Sequence, residues 1–204
     1  QLATNLHMDE AKLKSAYSKH ATFKEGNFVP DTYSIPKGSD EEGVIVYLLD
    51  KSSKTMKQWA KELKTSDKTD NLLRIVTKAS VLQKEAASIA DMPMVSSVID
   101  NRMKIGMKLQ MDGTLNYGEY SHQKVTAKRI RTDLSPYNTY KHDGLPKNPV
   151  CNVSKEAFTA ALHPKKTNYL YFVRGKNGEH VYSSYFSTHL SLIHISEPTR
   201  RTPI

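Results

Sequence analysis

The sequence predicts an α+β fold in which helices pack with a small antiparallel sheet, and three observations predict it. Apolar residues recur at helical spacing in four successive segments of the first half. That periodicity is lost between residues 107 and 140. Near the C-terminus, two aromatic and β-branched runs flank an Asn-Gly pair.

In chain order, residues 9–20 read as a short helix. The stretch "EGNFVPDTYSIPKG" then breaks the pattern with two glycines and two prolines and reads as loop or edge strand. Ser39 and Glu42 form a capping box for a second helix, which Val44, Leu48, Met56 and Trp59 carry to about Leu63. The polar "KTSDKTD" ends it. A third helix starts near Thr69 or Asp70, with Leu72, Ile75, Val76, Ala79, Leu82, Ala86 and Ile89 as its buried stripe. On this reading Val81, Leu82 and Ile89 are helical neighbours of Glu85, whose carboxylate shares a strip of aliphatic surface. Taken alone, such a glutamate is far more often solvated than functional.

Asp91 caps a fourth helix, "MPMVSSVIDNRMKIG", with Pro93 in its first turn, Gly106 as its left-handed stop, and Val95, Val98 and Ile99 facing inward. The tyrosine-rich stretch from Met107 to Tyr140 has the composition of side chains that bind something or pack over a cleft. Within it Asp112-Gly113 resembles a hairpin turn. Ser154 caps a last helix that Pro164 stops, and "YLYFV" and "HVYSSYF" read as two strands around the Asn177-Gly178 turn.

Composition narrows the partners. A net charge of +9 favours an anionic one: nucleic acid, an acidic membrane surface, or an acidic polymer such as cell-wall glycan. The lysines are scattered and carry no RNA-binding or zinc-finger signature, which sets nucleic acid behind. No stretch approaches the roughly 18 apolar residues of a membrane helix. The single Cys151 excludes an internal disulfide and reads as a packing residue. The eight histidines fit no metal template, and serine-hydrolase, Walker and dinucleotide motifs are absent, so neither metal nor cofactor is expected. The chain does not open with Met and lacks a signal-peptide pattern, and reads as starting inside a longer protein.

Six segments in order resemble the endolytic murein transglycosylases of the YceG-like family: "EGNFVPDTY", "KASVLQKEAA", "VSSVIDNRMKIGMKLQMDGTLNYG", "YNTYKHDGLPKNPV", "TAALHPKKTNYLYFV" and "GEHVYSSYFSTH". The resemblance runs from about Glu25 to His189 and places the family's catalytic glutamate on Glu85. It carries over Asn101, Arg102, Gln110, Asp112, Thr114, Tyr117, Tyr137, Asn138, Thr139 and Tyr140 as substrate-binding cleft residues. Three positions depart from the family's pattern: Gln83 replaces the first acid of its E-K-E, Met111 a threonine, and Gly113 a proline. The glycine suggests a looser loop, and the missing acid argues against two carboxylates sharing the task on this helix.

The resemblance implies a peptidoglycan lytic transglycosylase that cuts internal MurNAc-GlcNAc β-1,4 bonds and leaves 1,6-anhydroMurNAc ends. A glycosidic oxygen must be protonated as it leaves, so the donor has to be a carboxyl still protonated near neutral pH, which an apolar flank promotes. The implied partners are peptidoglycan glycan strands and, beside them, peptidoglycan synthases. The implied location is the periplasmic face of the bacterial inner membrane, with a membrane anchor in the full-length protein. Residues 1–24 read as the remnant of a preceding segment, 25–190 as the catalytic domain, and 191–204 as a non-native tail resembling translated sequencing-adapter DNA. Two alternatives stay open: a catalytically inactive peptidoglycan-binding module, suggested by the three departures, and a basic nucleic-acid-binding domain.

Overall fold

A computed structural model describes residues 2–121 and 123–196. It has α1 (Leu2–Leu6), α2 (Glu10–His20), α3 (Glu41–Glu62), α4 (Thr69–Glu85), α5 (Met92–Lys104), α6 (Asp112–Leu115), α7 (Ala127–Thr132) and α8 (Lys155–Leu162). Strands β1 (Tyr171–Arg174) and β2 (His180–Ser183) follow, and then α9 (Phe186–Ser196). The fold is α+β.

The core forms around α4, which packs against α5, α6 and α8. Val76, Ala79, Val81 and Leu82 are completely buried there, as are Val95, Val98 and Ile99 of α5. Trp59 of α3 meets Phe158 of α8 edge-on at 5.6 Å between ring centroids. A smaller cluster of Leu13, Ala16 and Ile45 joins α2 to α3, so the first 24 residues carry a helix packed on the fold. At the other end α9 runs across residue 190 and packs on β1 and β2. The rest of the 191–204 segment, beyond Ser196, lies outside the described residues. Among the described residues no helix is long and apolar enough to cross a membrane.

Three terminal assignments differ from the sequence reading. The cap of α3 is Asp40, whose Oδ1 accepts from Gly43 N at 2.8 Å, while Ser39 Oγ donates to Pro36 O. Glu42 does not close a capping box because its carboxylate is engaged by Lys19 and His20 of α2. Helix α4 ends at Glu85, with Ala86 extended at ψ 139°, so Ile89 leaves the stripe and is 62% exposed. Asp91 stands at the start of α5 without capping it, since its side chain turns back to accept from Ala87 N at 2.9 Å. That bond winds residues 89–91 into a single 3-10 turn directly after Glu85.

Elsewhere local rules hold. Ser154 Oγ accepts from Ala157 N at the start of α8, and Gly106 leaves α5 at φ 69°. The strands pair antiparallel with Tyr171 opposite Ser183 and Arg174 opposite His180. Gly178, at φ 82°, completes a three-residue loop in which its N–H donates to Gly175 O, and a Gly175 N–H to Glu179 O bond closes the ladder.

The reassigned cap is testable by urea unfolding. Asp40→Ala removes the acceptor for Gly43 N and lowers stability by about 1 kcal/mol, whereas Ser39→Ala costs at most a few tenths of that; the reverse order would return the cap to Ser39.

Candidate active site

Glu85 is the last residue of α4, and the irregular chain after α5 folds back onto it. Residues 109–111 run beside Thr139: Gln110 N donates to Thr139 O at 3.0 Å, and Met111 N donates to Thr139 Oγ1 at 3.0 Å. This pairing delivers α6 against the end of α4. Asp112-Gly113 is therefore the first turn of a short helix and not a hairpin. The Gly113 N–H donates to Glu85 Oε1 at 2.5 Å. A Cβ on residue 113 would lie 2.7 Å from Lys84 Cβ and 2.8 Å from Glu85 Oε1, so the approach requires glycine. The expectation of a looser loop is corrected here: Gly113 provides a donor that a proline at this position lacks, and closes the contact.

Burial raises the Glu85 carboxyl to about 7, the nearby Asp112 charge adds to the rise, and the Gly113 bond and Arg102 oppose it. The expected flank is half present. Val81 and Leu82 are fully buried beneath Glu85, but Ile89 faces away, and α6 covers the carboxyl in its place.

An open cavity of about 520 Å³ gathers Glu85, Arg102, Gln110, Asp112 and Tyr140 with Tyr171, Phe172, Val173, Arg174, Phe186 and His189. A second carboxylate thus stands in the cavity, from α6 and not from α4: Asp112 Oδ1 accepts from Tyr140 OH at 2.6 Å. Desolvation first, and the Asp112 bond next, hold the Tyr140 phenol protonated as the donor. Gln110 stands at φ 49°, a left-handed conformation that a non-glycine residue adopts at a cost, here in the cavity that holds Glu85.

Apart from Arg102, which is on the wall, the other carried-over residues build the site without lining its cavity. Asn101 Nδ2 donates to Thr167 O and Tyr169 O, fastening the chain that leads into β1. Arg102, though on the wall, spends its donors on Leu170 O and Leu109 O and stacks 5.7 Å from the Tyr171 ring centroid. Thr114 and Thr139 are buried and share a hydroxyl contact of 3.0 Å. Asn138 is fully buried, donates to Ile130 O and Asp133 O, and accepts from Tyr140 N. Tyr117 and Tyr137 stack at 4.6 Å beside a different cavity. The run from Tyr137 to Tyr140 is separated in this way because its irregular backbone turns successive side chains in different directions.

The three departures do not occupy the cavity. Gln83 is exposed and accepts from Ser154 N at 3.2 Å, Met111 is buried in the core, and Gly113 serves Glu85 through its backbone. Cys151 is held by burial up to about 11, far from a reactive thiolate.

The sequence reading missed the wall from β1 and α9, and the brace behind it. The buried Asp91 carboxylate receives His180 Nδ1 at 2.7 Å and the Tyr182 hydroxyl while still holding Ala87 N, which ties the segment after Glu85 to β2. His180 thus has a structural place behind the cavity.

Fold and cavity together define a class of protein: a helical α+β domain with a desolvated carboxylic acid at the end of a buried helix, opening on an aromatic-walled cavity. The chain belongs to the YceG-like family, whose pattern matches residues 1–194. It is 35% identical over 167 residues to the endolytic murein transglycosylase of Bacillus subtilis, covering 81% of this chain and 46% of that protein. It is 31% identical over 154 residues to the endolytic murein transglycosylase of Streptococcus pneumoniae D39, covering 73% of this chain and 28% of that protein. The chain thus spans less than half the length of these curated relatives. The crystal structure of a YceG-like protein from Listeria monocytogenes superimposes with a TM-score of 0.71 at 30% identity, over 90% of this chain and 64% of that one.

The raised carboxyl gives a stability test with a definite sign. The folded state holds the Glu85 proton up to about 7, against 4.5 for the ordinary group, so folding loses stability as pH rises through that window. Glu85→Gln removes the loss, so its stability relative to the parent should grow by roughly 3 kcal/mol between pH 4 and pH 8. Parallel urea unfolding at both pH values measures it; a constant difference would mean that Glu85 is not desolvated.

Proposed function

We propose that this chain is the catalytic portion of a peptidoglycan lytic transglycosylase, cutting internal MurNAc-GlcNAc bonds with formation of 1,6-anhydroMurNAc ends. One observation carries the reading: Glu85, pushed up to about 7, lies in an open cavity among aromatic and hydrogen-bonding side chains. A carboxylic acid with this property is protonated in useful amount at neutral pH and, once ionised, is still basic enough to take a proton back.

The steps balance without water. Glu85 donates its proton to the glycosidic oxygen as the bond to the muramyl anomeric carbon breaks, releasing the GlcNAc hydroxyl. Positive charge then develops at the anomeric carbon, where the Asp112 carboxylate, held by Tyr140 in the same cavity, is the group suited to stabilise it. The muramyl C6 hydroxyl attacks that carbon, and Glu85, now ionised, accepts the hydroxyl proton. The acid is regenerated and the ring is closed. Aromatic faces such as Tyr171 and Phe186 suit apolar sugar surfaces, and Gln110 and Arg174 suit hydroxyls. The names of the relatives support the same chemistry, and a cell-wall substrate supports action outside the cytoplasmic membrane.

Digestion of purified sacculi with product analysis tests this. The parent should release internal fragments ending in 1,6-anhydromuramyl groups, with activity falling as pH rises above about 7 because the acid is lost. Glu85→Gln should lower the rate by at least a hundred- to ten-thousand-fold while still co-sedimenting with sacculi. Reducing-end products would indicate hydrolysis instead, and co-sedimentation without release by the parent would favour a binding module.

A further inference from the structure

A second cavity, of about 600 Å³, lies beside the other end of α6, where Leu115, Tyr117, Tyr120, Lys128, Arg129 and Tyr137 are among its walls. We propose that it binds a carboxylate of the short acidic peptide that branches from the glycan strand, an inference that rests on the reading of the substrate as peptidoglycan.

Arg129 carries the argument. Its side chain is only 15% exposed, and Nη2 donates to Leu115 O, the last carbonyl of α6. The Tyr120 ring lies over the guanidinium with its centroid 3.8 Å away, a stacked cation that is held flat and shielded from water. Nε forms a long ion pair with Asp133 Oδ2 at 3.7 Å, too far for a hydrogen bond, and Nη1 has no hydrogen-bond partner among the described residues. Asp133 is itself held by Ser135 N at 2.8 Å on Oδ1. A desolvated guanidinium with unused donors is costly to leave as it is. An entering carboxylate offers the two oxygens that fit its fork, and Lys128 adds a second cation on the same wall.

Position selects the ligand. In a peptide-bearing glycan strand the lactyl carboxyls are consumed in amide bonds, so the free carboxylates lie on the peptides, a few bonds from the muramyl ring. Helix α6 touches Glu85 through its first turn and Arg129 through its last carbonyl, and its four residues rise about 6 Å. A strand whose muramyl ring sits at Glu85 therefore brings its peptide within reach of Arg129.

The test uses the disaccharide GlcNAc-MurNAc carrying a tripeptide. It contains no MurNAc-GlcNAc bond, so binding is read by titration calorimetry apart from any cleavage. The unaltered chain should bind it about tenfold more tightly than the same compound with its carboxyls amidated, the scale of one charge-assisted contact. Arg129→Gln should bind the two forms equally. Equal binding of both forms by the unaltered chain would overturn the proposal, and that comparison stands even if the variant fails to fold. Displacement of the disaccharide peptide by glycerol phosphate at lower concentration, lost in Arg129→Gln, would reassign the site to a phosphate polymer. Carboxylate-dependent binding with no cleavage of sacculi would leave this site intact and remove the lytic reading alone.

Discussion

The contact between Gly113 N–H and Glu85 Oε1 is the constraint on which the site depends. It joins the end of the most buried helix to the first turn of the shortest one, and each half of the cavity is organised from it. The bond stabilises the ionised carboxylate, while the burial that accompanies it stabilises the acid; burial prevails, and the group settles at about 7. With only the backbone donor the carboxyl would be ionised at neutral pH and have no proton to give, and with only the apolar surroundings it would hold its proton too tightly to release it. The proposed double role, giving a proton and taking it back, needs both.

Holding that contact requires the irregular segment after α5 to behave as a rigid part. It does so through buried polar pairing instead of regular secondary structure: Thr139 ties residues 110 and 111, Asn138 gathers Ile130, Asp133 and Tyr140, and Arg102 closes on Leu109. Hydrogen bonds of this kind cost little when made and much when left open, so the loop is specified sharply. On the opposite side Asp91 ties the chain after Glu85 to β2 through His180 and Tyr182, and Asn101 fastens the approach to β1. The aromatic wall is thus set by bonds behind it.

Most helices were legible in the sequence because their information is local. The stripe from Leu72 to Leu82, the cap at Ser154 and the Asn177-Gly178 turn are each decided within a few residues by periodicity or backbone preference. Failures came where two local solutions competed. Ser39 and Asp40 can both cap a helix, and the outcome was settled by Lys19 and His20 drawing Glu42 away. Ile89 continues an apolar period on paper, but Asp91 folds the chain before the helix reaches it.

The site divides in the same way. By itself the sequence determined that Glu85 lies on the flank of an apolar helix and that its neighbours in the motif order belong to one family pattern, since residue identity and spacing are carried by the chain. Only the tertiary structure decided that Asp112 and Tyr140 share the cavity of Glu85 while Asn138 and Thr139, their neighbours in the same motifs, are buried supports. It also decided that Arg129 is left with a donor unused among the described residues, and that Gly113, which reads as a loosened turn, makes the tightest contact on the acid. The physical reason is that the direction of a side chain in an irregular segment is set by the partners of its backbone, here Thr139 and Gln110, which lie 29 residues apart in sequence and meet only when the core has formed.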